Sequence, residues 1–208
     1  MSASGAGRVY GGVTGEQRIA ERRRKLIEAG LNLFGSPGSE SVRVKDVAAE
    51  AALTERYFYE SFGDLETLFD AVLELSMETV ESAVNAAVLN APDDAISRLS
   101  VVLRTSVDTL AGDPRMIRVI FVEALGKGGR ACSRRNEILV RAAGNFFRWS
   151  GTDMGDFDSS PTDARMKTFA LTGAASELLI AWAEGLLDTT AAQLTDFLVG
   201  LYWRIDLP

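Results

Sequence analysis

Histidine is missing from this chain of 208 residues. Its absence removes the commonest general base and the commonest metal ligand, so histidine-based triads and most zinc sites are excluded. Cysteine occurs once, as Cys132. A single thiol cannot close an intramolecular disulfide, and a chain without disulfides fits a reducing cytoplasm. Apolar runs are short and interrupted, which leaves no transmembrane helix and no membrane partner to expect. The N-terminal "MSASGAGRVYGGVTGEQ" has no apolar core of the kind a signal peptide needs, and residues 1–15 read as a flexible arm. Nothing in this inventory asks for a metal or a cofactor. A helical enzyme is a poor reading as well, because no nucleophile and base converge in the pattern.

Aromatic residues are scarce too, at 8% of the chain, yet Tyr57, Phe58, Tyr59 and Phe62 crowd into "LTERYFYESFGD". Glu55, Arg56, Glu60 and Ser61 are interleaved with them, so the cluster is not simply core. Charge is also uneven. The net is −7, but residues 1–63 carry nine Lys/Arg against eight Asp/Glu, and residues 64–208 carry thirteen against twenty-one. A locally basic N-terminal unit, with Arg22, Arg23, Arg24 and Lys25 in one run, is joined to an acidic body.

Helical periodicity dominates, and no alternating strand of useful length is found. Ile19, Leu26, Ile27, Gly30, Leu33 and Phe34 share one face of a first helix, which stops at "GSPGS". Val44, Val47, Ala48 and Ala51 mark a short second helix, and Thr54 is a good N-cap for a third. Asp64 caps a fourth, which ends before "NAPDD". Longer helices follow: about 95–110, broken at "GDPR"; one running to about Leu125; 134–149; 162–187; and 191–205. The segment "FALTGAASELLIAWAEGLL" is apolar around most of its circumference. It reads as a helix with two buried faces, one of which a second copy of the chain can cover; the alternative is the central helix of a monomeric bundle.

A longer helix with a basic run, then short helix, tight turn and short helix, is the helix-turn-helix order. At about 100° per residue, Phe58 and Phe62 fall together on the inward side of the third helix. Arg56, Tyr57 and Glu60 fall opposite, with Tyr59 on a flank. Exposed tyrosines can donate to phosphate, and arginine can reach a guanine edge with two hydrogen bonds. Glu55 and Glu60 can accept from cytosine and repel wrong partners. The competing reading packs the tyrosines against a neighbouring helix and leaves Arg22–Lys25 as a solvated face.

Residues 26–74, "LIEAGLNLFGSPGSESVRVKDVAAEAALTERYFYESFGDLETLFDAVLE", resemble the TetR-type transcriptional repressors. Asp46, Val47, Ala48, Ala51, Leu53, Thr54, Phe58, Tyr59 and Phe62 sit at matching positions of that family's helix-turn-helix pattern, and "AWAEGLLDTT" is similar to the close of its eighth helix. Departures are specific. Ala52 replaces the usual turn glycine, Arg43 a capping Thr or Ser, Ser61 a histidine and Leu65 a lysine, the last two being phosphate contacts. Arg43, Lys45, the Arg22–Lys25 run and Arg8 on the arm are the residues available to compensate.

The resemblance implies an all-α protein in two parts: a DNA-binding domain over 16–63 and an effector-binding and dimerisation domain over 64–208. It implies a ligand-responsive repressor acting as a homodimer on an operator, paired through 162–187 and 191–205. The DNA contacts it implies are Arg22, Arg23, Arg43, Lys45, Thr54, Glu55, Arg56, Tyr57, Tyr59 and Ser61. For a largely apolar effector the candidate lining is Met116, Ile120, Phe121, Phe146, Phe169 and Trp182, with Glu123 as polar anchor; each can equally be ordinary core. A ligand-independent or architectural helix-turn-helix protein with a filled core is the alternative. "GKGGR" lacks the spacing of a phosphate-binding loop, and Asp153, Asp156 and Asp158 lack the rest of a calcium loop. Cys132 has no sequence neighbours that suggest redox work.

Overall fold

The computed structural model describes residues 15–125, 131–150 and 160–204. The arm with Arg8, the "GKGGR" loop, the three aspartates of 153–158, Ile205 and the side chain of Cys132 lie outside them. Among the described residues there are nine α-helices and no strand: α1 Gly15–Phe34, α2 Val44–Glu50, α3 Glu55–Ser61, α4 Leu65–Val88, α5 Ala95–Gly112, α6 Pro114–Ile117, α7 Ala131–Ser150, α8 Thr162–Ala183 and α9 Ala191–Arg204. The all-α class and the element order read from periodicity therefore hold. No helix among the described residues is long and apolar enough to cross a membrane.

Two compact units divide within α4, as Met1–Val72 and Leu73–Pro208. In the first, Leu26, Val47 and Phe58 are fully buried and Phe62 nearly so. The first turns of α4 belong to this unit, because Gly30 of α1 brings its backbone against them: a Cβ there would lie 2.8 Å from Val72 and 3.3 Å from Leu68. Glycine is thus required at that close approach. Phe34 and Phe69 meet edge to face at 5.4 Å in the same core.

In the second unit α5 packs on α7 and α9, and α7 on α8. Asp94 caps α5 by accepting from the Ser97 backbone N–H at 2.8 Å, and Asp113 caps α6, whose first position is Pro114. Beyond α6 the backbone loosens into a π-helical turn over Arg118–Val122 and a 3₁₀ turn over Glu123–Leu125. The sequence pattern showed one unbroken helix here, since apolar spacing does not register one extra residue in a turn. α8 is shorter than the expected 162–187. It ends at Ala183 because Gly185 turns left-handed at φ 74° and the Leu186 and Gly185 amides close on Ala181 and Trp182 carbonyls.

Candidate functional site

α2 and α3 meet through a turn in which Ala52 holds φ 52°, the left-handed region that a glycine usually fills. Hydrogen bonds from Ala52 N to Ala49 O and Leu53 N to Ala48 O fix that turn, so it accepts the Cβ. Arg43 precedes α2 in the capping position. Its backbone N–H donates to the Asp46 carboxylate at 3.0 Å and its Nε at 3.3 Å, so the half of the cap that Ser or Thr would supply is missing but the reciprocal half is present. Thr54 occupies the N-cap of α3, as expected, with its hydroxyl making no capping bond.

The rings of α3 divide almost as the helical wheel requires. Phe58 is fully buried and Phe62 is 2% exposed, whereas Tyr59 is 58% exposed. Tyr57 differs from expectation: it is half-buried, with the Arg22 guanidinium stacked 4.6 Å from its ring centroid. A wheel drawn on α3 alone does not contain α1, which covers that side. Arg23 lies 4.2 Å over the Phe62 ring and donates from Nη1 to the Ser61 carbonyl at 3.0 Å. The basic run of α1 is therefore laid along α3, and Arg23 also satisfies a carbonyl at the α3 C-terminus, where positive charge is favourable. Arg24 instead binds Glu21 at 2.8 Å, and that hydrogen bond holds the Glu21 carboxyl below its usual range.

Arg56 is open to solvent, with 85% of its side chain exposed, and it pairs with Glu60 at 2.9 Å. An exposed pair of this kind is worth about 0.2–1 kcal/mol, so Arg56 can leave Glu60 at little cost. Glu55 stands in the first turn of α3, and Lys45 and Arg43 are exposed at the start of α2. Ser61 is half-buried and offers its carbonyl to Arg23. The surface thus mixes arginines and exposed tyrosine with two glutamates.

The body holds a cavity of about 150 Å³. Ile120, Phe121 and Phe146 line it, the first two from the π-helical turn. The other four candidates are placed elsewhere. Met116 is buried in α6. Glu123 lies 3.0 Å from Arg118 in an ion pair whose Nε–H does not aim at the carboxylate. Phe169 packs on Ala143 and Ala164. Trp182 donates to the Thr189 carbonyl at 2.9 Å and ties α8 to the approach to α9.

The polar wall comes from residues that periodicity did not single out. Glu81 of α4 accepts from Arg141 at 2.6 and 2.8 Å and from Asn145 at 2.7 Å. Glu74 takes the remaining Arg141 nitrogen at 2.7 Å. The hydrogen bonds to Glu81, then those to Glu74, push the Arg141 guanidinium pKa further up, so it stays charged. Trp149 Nε1 donates to Asn85 at 2.7 Å. Glu81 and Asn145 lie 64 positions apart in sequence, and no local spacing links them.

Residues 26–72 match the family model described as bacterial regulatory proteins, tetR family. The chain is 29% identical over 84 residues to the HTH-type transcriptional regulator HbdR of Aromatoleum sp. (strain CIB), covering 40% of this chain and 37% of that one. It is 24% identical over 128 residues to the nucleoid occlusion factor SlmA of Edwardsiella ictaluri, covering 61% and 64%. Both matches span less than two thirds of those relatives. Among solved structures, the transcriptional regulator FadR of Bacillus subtilis, in complex with stearoyl-CoA, superposes with a TM-score of 0.67 at 17% identity, covering 86% of this chain and 96% of that one. Residues 26–72 are thus similar in sequence to the tetR family of bacterial regulatory proteins, and the chain shares the fold of solved structures of TetR-type regulators.

Proposed function

We propose that the protein is a sequence-specific DNA-binding transcriptional regulator, a ligand-responsive repressor that works as a homodimer. One observation carries the reading: α3 is bolted inward by Phe58 and Phe62 while Arg56 and Tyr59 face solvent beside the arginines of α1. In this reading α3 enters the major groove, Arg56 reads a base edge and Tyr59 binds backbone or a thymine methyl. Arg22, Arg43 and Lys45 supply phosphate charge in place of the lysine missing at Leu65. Thr54, Glu55, Tyr57 and Ser61 border the same surface. Residues 16–63 would hold the reading function and 64–208 the effector and the partner subunit.

Support for pairing comes from α9, where Phe197 and Trp203 stand 58% and 57% exposed. Large apolar side chains left open on one helix suit a self-complementary interface. Two copies would then place two α3 helices on half-sites about 34–36 Å apart, one turn of DNA. An effector that prefers another spacing weakens operator binding by that same preference.

The second reading is a ligand-independent helix-turn-helix DNA-binding or architectural protein with a filled core. The cavity argues against it, since a filled core would leave no such space. Selection of bound sequences from a random DNA pool by the full chain tests the proposal. A two-fold symmetric site is the expected outcome; no enriched sequence would overturn it.

A further inference from the structure

The ~150 Å³ cavity is richer in hydrogen-bond acceptors than in donors, because several donors of its wall are already used. Asn145 gives one of its two amide N–H groups to Glu81, and Trp149 gives its one indole N–H to Asn85. The Ser106 and Ser176 hydroxyls donate to the Val102 and Thr172 carbonyls one turn back, at 2.8 Å each. What these groups still offer is one Asn145 N–H against lone pairs on the Glu81 carboxylate, the Asn145 amide oxygen and both serine oxygens, so acceptors outnumber donors. Of the lining hydroxyls, Thr172 and Tyr202 alone can both donate and accept. Charge has the same bias. Two carboxylates, Glu74 and Glu81, share the single guanidinium of Arg141, which leaves the polar end one negative charge in excess. Arg141 itself does not line the cavity, and its nitrogens face those two carboxylates.

We propose that this cavity takes a small, largely apolar molecule that brings its own hydrogen-bond donor, an amine before an alcohol or phenol, and turns away carboxylates and long acyl chains. The inference rests on the reading of the body as an effector-binding unit and names the class of effector. An apolar space of this size accommodates a benzene-sized body, well short of a long acyl chain. An entering N–H or O–H meets acceptors that are otherwise unmatched by the wall. A carboxylate would meet the Glu81 charge with no Lys or Arg in the cavity lining to answer it, and a buried uncompensated charge is strongly disfavoured. The stearoyl-CoA seen with the Bacillus subtilis regulator is thus a poor guide to the ligand here.

Benzylamine, benzyl alcohol and benzoate share one ring and one carbon arm, and differ only in what the arm presents. Their binding to the full-length protein is measured by ligand-observed saturation-transfer NMR titration. The amine should bind tightest, with the alcohol weaker by a few-fold and benzoate weaker than the amine by about tenfold or more. Glu81→Gln should bring amine and alcohol to within about twofold of each other. Because that change also loosens Arg141, Ser176→Ala provides a second reading: with the charges intact, it should weaken both donors about three- to tenfold. Ala175→Trp, which fills the cavity, should abolish all binding. Benzoate binding as tightly as the amine, and lost in Ala175→Trp, would overturn the inference while leaving the body an effector-binding unit. Binding of no probe, or binding that survives Ala175→Trp, would overturn both; the DNA selection is independent of either result.

Discussion

Arg23 places its guanidinium 4.2 Å above the ring of Phe62 and donates to the carbonyl of Ser61 at 3.0 Å. One side chain of α1 thereby holds the last turn of α3. A cation over a ring at an exposed site is worth about 0.5–1 kcal/mol, and a charged hydrogen bond adds a comparable amount. Arg23→Ala should therefore destabilise the first unit by about 1–2 kcal/mol, read by denaturant unfolding. Arg23→Lys should lose part of this, since an ammonium cannot stack its plane and reach the carbonyl together.

Ala52 carries a left-handed backbone that costs a Cβ-bearing residue about 1–2 kcal/mol, of which glycine's greater unfolded-state freedom gives back about 0.5–1. Ala52→Gly should raise stability by roughly 0.5–1 kcal/mol with DNA affinity unchanged, and Ala52→Val should lower it. Equal midpoints for wild type and glycine variant would show that the turn stores no strain.

Asp113 receives the Arg115 side chain at 2.7 Å and the Arg115 backbone N–H at 3.2 Å. The Arg115 hydrogen bond, opposed by partial burial, holds its carboxyl below the usual range. A lowered folded pKa means that the cap's contribution is complete above the unfolded value of about 3.9 and is lost as pH falls through the folded one. Asp113→Ala should destabilise the body at pH 7, and the gap to wild type should close below about pH 4. A gap constant with pH would place the effect in packing instead of charge.

Phe197→Glu puts a charge where the proposed partner subunit would bury a ring. The expected result is a fall in solution mass from dimer to monomer, with helix content retained. Dimers persisting in Phe197→Glu and in a Trp203→Glu variant would move the interface away from the exposed apolar residues of α9.

The helix-turn-helix was legible because its information is local: caps, a stop at "GSPGS", and Phe58 four positions before Phe62 on one helical face. The all-α order was legible for the same reason. Tyr57 was not, because its cover is Arg22 from another helix. The cavity wall was half legible. Ile120, Phe121 and Phe146 are the large apolar residues a pocket search begins from, whereas Glu81 and Asn145 owe their role to a pairing across α4 and α7. Glu123 looked like the anchor because a carboxylate amid apolar residues stands out, yet its neighbour Arg118 accounts for it. One weak signal was present: Arg141 and Asn145 are four apart, so both fall on one face of their helix.

In the proposed function, α3 reads DNA through Arg56 and Tyr59. Titrating the selected site with wild type, Arg56→Ala and Tyr59→Phe over a series of salt concentrations tests it most directly. All three proteins should unfold at similar denaturant concentrations, because Arg56 and Tyr59 are exposed. Arg56→Ala should cost about 1–3 kcal/mol on the preferred site and relax discrimination at one base pair, while Tyr59→Phe should weaken all sequences by about 1 kcal/mol. Affinity unchanged in both variants at every salt concentration would show that α3 does not read DNA through these residues.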